Sequence, residues 1–301
     1  MQATRQDGHT HCFDDDMETV RQVEPTRCAN LVMQGAGGAL RLYHRHRVDG
    51  LANLTSALAS GRPVVLVGNH CLDLVDPLML TVAVYRETGR VLRFIAHGNI
   101  FFNIPVLRTL APIWGLIPNR HPELADEVLR SEGVLMLYPG SGTEAILRSY
   151  RREPYCLKWD AKHGFVQLAA RHRAQILFVA GIGIDEMYYQ TDVPMPASFV
   201  RYGNAGDADH YRGARVQVGA AGLHLLPGVL PLPVRVAHVI SPPPALDPAL
   251  DPDDHDAVAR AQIHLWAESQ AFLDAALAAR DSDPLDRGLR WAMSWLQRLG
   301  I

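Results

Sequence analysis

The sequence predicts an α/β fold in which a mostly parallel central sheet is flanked by helices. Short apolar runs, including residues 64–67, 133–138 and 174–184, alternate with segments of helical periodicity. This alternation is typical of parallel strands that are connected by helices. The 301-residue chain, of which 48% is hydrophobic and 20% charged, is long and apolar enough to bury the core that such a sheet requires.

The individual elements follow from local patterns. In chain order we predict a helix over 26–42, a strand over 42–48, a strand over 64–67, a helix over 72–87, a strand over 91–96, short proline-kinked helices over 101–116, a helix over 123–131, a strand over 133–138, a helix over 159–172, a strand over 174–184, a strand over 234–240 and a helix over 254–279. The glycines within 35–38 should interrupt the first helix, and His44 and His46 should be solvated on an edge strand. The regular part of the helix over 72–87 should begin at Asp76-Pro77, because proline is favoured at a first helical position.

Two further segments allow two interpretations each. Residues 223–234 are strongly apolar but too rich in proline for a regular helix, so they form either a docking patch or a wall of the core. Beyond residue 285, two tryptophans on an apolar face oppose three arginines, which suits either a helix lying on a membrane surface or one packed on the core. We expect a polar N-terminal tail over 1–25, one main domain over 26–250, and C-terminal helices over 251–301 packed on that domain or on the membrane surface.

Composition argues against several classes of function. The formal charge of −3 disfavours general nucleic-acid binding. The four cysteines lack close pairing and metal-site spacing, which is typical of reduced thiols in an intracellular protein. The first residues lack the apolar core of a signal peptide, and no stretch of about 20 apolar residues is uninterrupted. We therefore expect a cytoplasmic protein that associates peripherally with membranes and holds no metal.

The first candidate site follows the strand over 64–67. That strand ends at Gly68-Asn69, which is followed by His70 and then by Asp73 and Asp76. Open α/β sheets place their chemistry at the carboxyl edge, where this histidine should lie. Histidine is the side chain best suited to accept and return a proton near neutral pH, and a nearby carboxylate can fix its tautomer. Asp73 and Asp76 are both candidate partners of His70.

The second candidate site is the loop Pro139-Gly140-Ser141-Gly142-Thr143-Glu144, which follows the strand over 133–138. Its glycines allow a tight turn whose backbone N–H groups point into a cleft. The chain has no zinc-type histidine pair, no G-x-S-x-G nucleophile elbow and no glycine-rich nucleotide motif. The remaining set of a histidine base, a carboxylate and a glycine loop suits the deprotonation of an alcohol and the stabilisation of an oxyanion.

Residues 68–70 with a downstream Asp, residues 138–145 and residues 164–169 form three motifs in a fixed order. Together they resemble the lysophospholipid acyltransferase superfamily, and within it the diacylglycerol-acyltransferase-like and phytyl-ester-synthase-like branch. Most of that superfamily separates the histidine and the aspartate by four residues, whereas position 75 is Val75 here. The spacing of the phytyl-ester-synthase-like branch favours Asp76, and ideal helix geometry favours Asp73.

The resemblance implies an O-acyltransferase that moves a fatty acyl group to a lipid hydroxyl from acyl-CoA or acyl carrier protein, which is a co-substrate, with no further cofactor. Superfamily members that acylate phosphate-bearing acceptors tend to carry an arginine in the glycine loop. In this chain the glycine loop contains no arginine, and the next arginine along the chain is Arg148. Arg120 is the candidate substitute for the missing loop arginine. A neutral acceptor such as diacylglycerol or a long-chain alcohol is therefore favoured. Two alternatives stay open: a hydrolase of acyl esters or thioesters on the same scaffold, and a non-catalytic lipid-binding protein.

Overall fold

The computed structural model describes residues 27–71, 75–96, 111, 114–119, 121–131, 133–159, 162–196, 214–220, 222–224, 230–244 and 246–282. The predicted N-terminal tail, residues 101–110 and the predicted helix beyond residue 285 lie outside these ranges. Among the helices within them, none is both long and apolar enough to cross a bilayer.

The described residues form six α-helices and ten strands. The helices are α1 (Arg27–Tyr43), α2 (Leu51–Ala59), α3 (Val75–Thr88), α4 (Pro122–Arg130), α5 (Gly164–His172) and α6 (His255–Asp281). The strands are β1 (Arg47–Asp49), β2 (Val64–Gly68), β3 (Leu92–Ala96), β4 (Leu116–Pro118), β5 (Val134–Leu137), β6 (Gln175–Ile182), β7 (Tyr189–Pro194), β8 (Arg215–Gly219), β9 (Gly222–His224) and β10 (Ala237–Ile240).

Seven of these strands form the central sheet in the order β1-β10-β6-β2-β5-β3-β4. The five strands from β6 to β4 are parallel, whereas β10 runs antiparallel to β6, and β1 runs parallel to β10. The predicted mostly parallel sheet is therefore confirmed. The register pairs Leu66 with Met136 and with Leu177, so β2, β5 and β6 end at the same edge of the sheet.

Helices cover both faces of this sheet, which is why β2 and β5 are buried at every position. Alternate residues of β2 belong to two hydrophobic clusters. Val65 and Val67 pack in the cluster that includes α4, α5 and α6, and Val64 and Leu66 pack in the cluster that includes α2 and part of α3. Burial on both faces explains why these strands are continuous apolar runs rather than alternating ones.

Helix α1 differs from its prediction. It continues through the glycines within 35–38 and ends at Tyr43, so the strand predicted over 42–48 is limited to β1. A Cβ added at Gly37 would overlap the Val82 side chain of α3. The glycine therefore allows the two helices to approach closely instead of interrupting α1.

The turn after α1 buries two histidines that were predicted to be solvated. His44 is fully buried, and its Nδ1 lies 2.9 Å from the carbonyl oxygen of Val234. His46 is 7% exposed and packs edge-on against the ring of His238. These histidines are buried because β1 pairs with β10, a strand that is distant in the chain, and local sequence patterns do not reveal this pairing.

Residues 185–230, which show no clear period in the sequence, contain an antiparallel sheet in the order β7-β8-β9. Gln190 of β7 accepts a hydrogen bond from the Tyr150 N–H at 3.1 Å and donates to the Arg148 carbonyl oxygen at 3.1 Å. These bonds fix the second sheet against the segment that follows the glycine loop.

Candidate active site

The carboxyl edge of β2 carries Asn69 and His70. The Asn69 side chain donates to the Gly181 carbonyl oxygen at 2.9 Å and accepts from the Gly181 N–H at 2.7 Å. These two bonds hold the chain to β6 for one residue beyond Gly68, where β2 ends. His70 therefore leaves the sheet from a fixed point, at the edge where β5 and β6 also end.

Two side chains from the segment after β5 bind the backbone of His70. The His70 N–H donates to Glu144 Oε1 at 2.6 Å, and its carbonyl oxygen accepts from Arg148 Nη2 at 3.3 Å. The second carboxylate oxygen of Glu144 accepts the Lys158 N–H at 3.0 Å. Glu144 is fully buried, and burial raises its pKa to about 7, although Arg148 and the two N–H donors oppose that shift.

Arg148 is a buried cation whose donors are fully used. It forms two hydrogen bonds with the Asp185 carboxylate, at 2.6 and 2.7 Å. Its remaining N–H groups donate to the carbonyl oxygens of Glu144, Glu153 and His70. A guanidinium has five N–H donors, so none is left for a ligand. The pairing with Asp185 satisfies the charge in the way that a buried cation requires.

The glycine loop turns into a helical segment at Ser141, which adopts a φ of 49°. A Cβ added at Gly140 would overlap the Glu144 carboxylate, and the Glu144 N–H donates to the Gly140 carbonyl oxygen at 3.1 Å. Amides in the first turn of a helix have no intrahelical acceptor, which leaves those of Gly142 and Thr143 as candidate oxyanion donors. The structure describes the whole predicted loop: Pro139, Gly140, Ser141, Gly142, Thr143 and Glu144.

The imidazole of His70 stacks on the ring of Tyr138, with centroids 4.3 Å apart and planes 9° from parallel. His70 is a partly exposed residue, but its Nδ1 is buried and has no hydrogen-bond partner among the described residues. Burial lowers the pKa of His70 to about 4; the Asp76 carboxylate opposes this shift and Arg148 adds to it. The imidazole is therefore neutral at neutral pH, which is the state that a general base requires.

Asp76 is buried in the first turn of α3, which begins at Val75. Its Oδ2 accepts the Tyr138 hydroxyl at 3.1 Å, and its Oδ1 lies 2.5 Å from Nε2 of His238. The charge of Asp76 reaches His70, but its hydrogen bonds within the described part of the chain go to Tyr138 and His238. Two other predicted site residues lie outside the described ranges: Asp73 and Arg120.

Sequence reasoning missed the pair of histidines behind Asp76. His238 is the second residue of β10, and its Nδ1 lies 2.7 Å from Nε2 of His46. The available signal was a lone polar residue in the apolar run 236–240, which a buried strand tolerates only with a partner. That partner lies 162 positions away in the sequence, so no local pattern reveals it. Among the described residues, no group of three or more His, Cys, Asp or Glu side chains is arranged to hold a metal ion.

Comparison with known proteins shows what this arrangement is similar to. Residues 45–183 match the family model described as Acyltransferase. The match includes His70, Asp76 and the glycine loop, whereas Asp185 and His238 lie beyond it.

Two relatives of this chain come from Arabidopsis thaliana. The chain is 23% identical to phytyl ester synthase 2, chloroplastic, over 242 residues. This alignment covers 75% of this chain and 34% of that protein. The chain is 30% identical to phytyl ester synthase 1, chloroplastic, over 129 residues. This alignment covers 42% of this chain and 18% of that protein. The matched part thus spans about a third or less of the length of these relatives.

Proposed function

We propose that this chain transfers a fatty acyl group from an acyl thioester to the hydroxyl group of a lipid. The observation that supports this most directly is the placement of His70, a partly exposed residue with a neutral imidazole, at the carboxyl edge of the sheet. Tyr138 connects it to the Asp76 carboxylate, and Glu144 connects its backbone to the glycine loop.

In the proposed reaction, His70 removes the proton from the acceptor hydroxyl, and the oxygen attacks the carbonyl carbon of the thioester. The amides of Gly142 and Thr143 donate to the carbonyl oxygen as it becomes negative. The carbon–sulfur bond then breaks, and the leaving thiolate takes the proton back from His70. The negative charge of Asp76 favours the imidazolium that exists between these two steps.

We propose a neutral acceptor, such as diacylglycerol or a long-chain alcohol. Recognition of a phosphate-bearing acceptor calls for an available cation, and every donor of Arg148 is already used. Lys162 reaches the glycine loop, but its Nζ donates to the Gly140 carbonyl oxygen at 3.1 Å. The names of the two relatives point the same way, because a phytyl ester is the ester of a long-chain alcohol.

We propose acyl-CoA or acyl carrier protein as the donor, and a membrane surface as the place of action, because acceptors of this class partition into lipid. Co-sedimentation with neutral and with anionic liposomes tests the second statement. Absence of binding to both kinds of liposome would contradict it.

The central test uses purified protein, labelled acyl-CoA and one acceptor at a time, with the products separated by chromatography. We expect ester formation with diacylglycerol or a long-chain alcohol. His70→Ala should reduce the rate by about 10²- to 10⁴-fold, because the general base is lost. His264→Ala, at an exposed position of α6, is the control and should keep the wild-type rate.

Other outcomes of the same assay separate the alternatives. Full activity of His70→Ala would rule out the proposed mechanism. Release of free fatty acid at the same rate with and without an acceptor would indicate a hydrolase. Preference for lysophosphatidate, with loss of that preference in Lys162→Met, would show that the neutral-acceptor proposal is wrong.

A further inference from the structure

A row of buried polar side chains extends from Asp76 to the edge strand β1. His238 lies next to Asp76, and His46 lies next to His238, with separations of 2.5 and 2.7 Å between the bonded atoms. Both histidines are buried, with exposed fractions of 2% and 7%. Together with the Tyr138 hydroxyl, this row occupies both oxygens of Asp76.

Chemistry constrains the protons in this row. Burial, with a contribution from His238, lowers the pKa of His46 to about 2, so His46 is neutral. Burial and the Asp76 carboxylate raise the pKa of Tyr138 well above its usual value, so its hydroxyl acts as a donor. One hydrogen lies between the two histidine rings. In the tautomer in which Nε2 of His46 holds it, a neutral His238 accepts this hydrogen at Nδ1 and donates its own Nε2–H to Asp76 Oδ1.

The other groups that face Asp76 do not supply this donor. Burial lowers the pKa of His44 and of His70, and the charge of Asp76 opposes both shifts. Nδ1 of His44 binds the Val234 carbonyl oxygen instead of Asp76. The titratable and charged groups around the row come from α1 and the turn after it, from β10, and from the segments after β2 and β5: Arg41, His44, His46, His238, His70, Tyr138 and Arg148.

We propose that His238 is a positioning residue for acyl transfer: with Tyr138 it holds the Asp76 carboxylate in place. Asp76 then stabilises the protonated form of His70 through its charge. This inference rests on the proposed function. It makes β10, which lies beyond the family match at residues 45–183, a part of the active site.

Kinetics of two substitutions at position 238 test the proposal. His238→Leu removes the partner of Asp76 Oδ1, so the carboxylate keeps only the Tyr138 hydroxyl among its described hydrogen-bond partners. We expect kcat to fall about tenfold or more, KM to change by less than about twofold, and the acid inflection of kcat/KM to move up by about one pH unit or more. In His238→Gln the side-chain N–H can replace Nε2–H, so this variant should recover most of kcat and the wild-type inflection. An unmoved pH profile in His238→Leu, or a Gln variant no better than the Leu variant, overturns the proposal.

His172→Gln is the matched control. Nε2 of His172 makes a 2.6 Å bond to Asp126, and His172 ends α5 near the amino end of β6, at the opposite edge of the sheet. This variant should change neither kcat nor the pH profile. A loss of activity equal to that of His238→Leu would overturn a specific role for His238.

Nuclear magnetic resonance with ¹⁵N-labelled histidine gives a readout that needs no turnover. The wild-type spectrum should contain a ring N–H proton that is strongly hydrogen-bonded to a carboxylate, and this signal should be absent from Asp76→Asn and from His238→Leu. If the signal is present but no acceptor supports transfer, the proposed function fails and the inference fails with it. Transfer without the signal overturns only the role of His238.

Discussion

Within the described part of the chain, the hydrogen bonds that position His70 go to its backbone. Glu144 and Arg148 bind its N–H and carbonyl groups, the ring rests on Tyr138, and Nδ1 has no partner in the described part of the chain. A ring held in this way can gain and lose a proton without breaking the contacts that orient it. That property suits a base that must return its proton within the same reaction.

The pKa of His70 sets the expected pH dependence of the reaction. Burial lowers this pKa from 6.5 to about 4, so kcat/KM should stay high through mildly acidic pH and fall only near pH 4. Initial rates measured from about pH 3.5 to 8 at constant ionic strength check this. An acid inflection near pH 7 would contradict it and would indicate that Glu144 controls the profile.

At the scale of elements, the close packing of α1 on α3 makes two neighbouring glycines respond in opposite ways to the same substitution. Gly37→Ala places a methyl group against Val82, so we expect a loss of roughly 1–3 kcal/mol in the free energy of unfolding. Gly35→Ala meets no atom within 4 Å, so it should add roughly 0.5–1 kcal/mol through helix propensity alone. Urea unfolding of both variants checks this, and equal effects would refute the close approach.

Elements defined by local patterns could be predicted from the sequence, and those defined by distant pairing could not. Helix α6 begins next to Asp254, as the acidic start suggests, and the Asp254 side chain accepts the Ala257 N–H at 2.9 Å. The small sheet of β7, β8 and β9 was missed, because Tyr189 finds its partner only at Val218 and the chain between them shows no period. The burial of His46 depends in the same way on β10.

For the whole molecule, buried neutral histidines create sensitivity to acid. The pKa is about 2 for His46 and about 4 for His70, against 6.5 when unfolded, so the unfolded chain binds more protons and stability is lost as the pH falls below 6.5. Glu144, with a pKa of about 7 against 4.5, acts in the opposite direction. Between pH 6.5 and 4.5 each group contributes roughly 2–3 kcal/mol, so the two histidines outweigh the one carboxyl and the net effect of acidification is a loss of stability.

Urea unfolding between about pH 7 and 4.5 measures this loss. His46→Gln removes one of the two histidines, so the free energy of unfolding should change less with pH in this variant than in the wild type. A wild-type protein that becomes more stable on acidification would contradict the assignment.

At the same scale, the sequence allowed prediction of the parts of the candidate site that are contiguous in the chain. His70 lies in the turn that directly follows β2, and the loop 139–144 follows β5. Each is therefore visible in the sequence as a strand pattern followed by a turn. The contacts of Tyr138 with His70, of Arg148 with Asp185 and of Asp76 with His238 are different, because each joins segments that only the strand order of the sheet brings together.

Strand β10 runs antiparallel to β6, so its first residues lie at the edge where β2, β5 and β6 finish. It is also the last strand among the described residues. A nascent chain that has left the ribosome through residue 183 already contains the whole family-matched region, yet Asp76 still lacks one of its two donors. The hydrogen-bonded arrangement proposed around Asp76 therefore forms only once β10 has docked on β6, so the family-matched region by itself would not contain it.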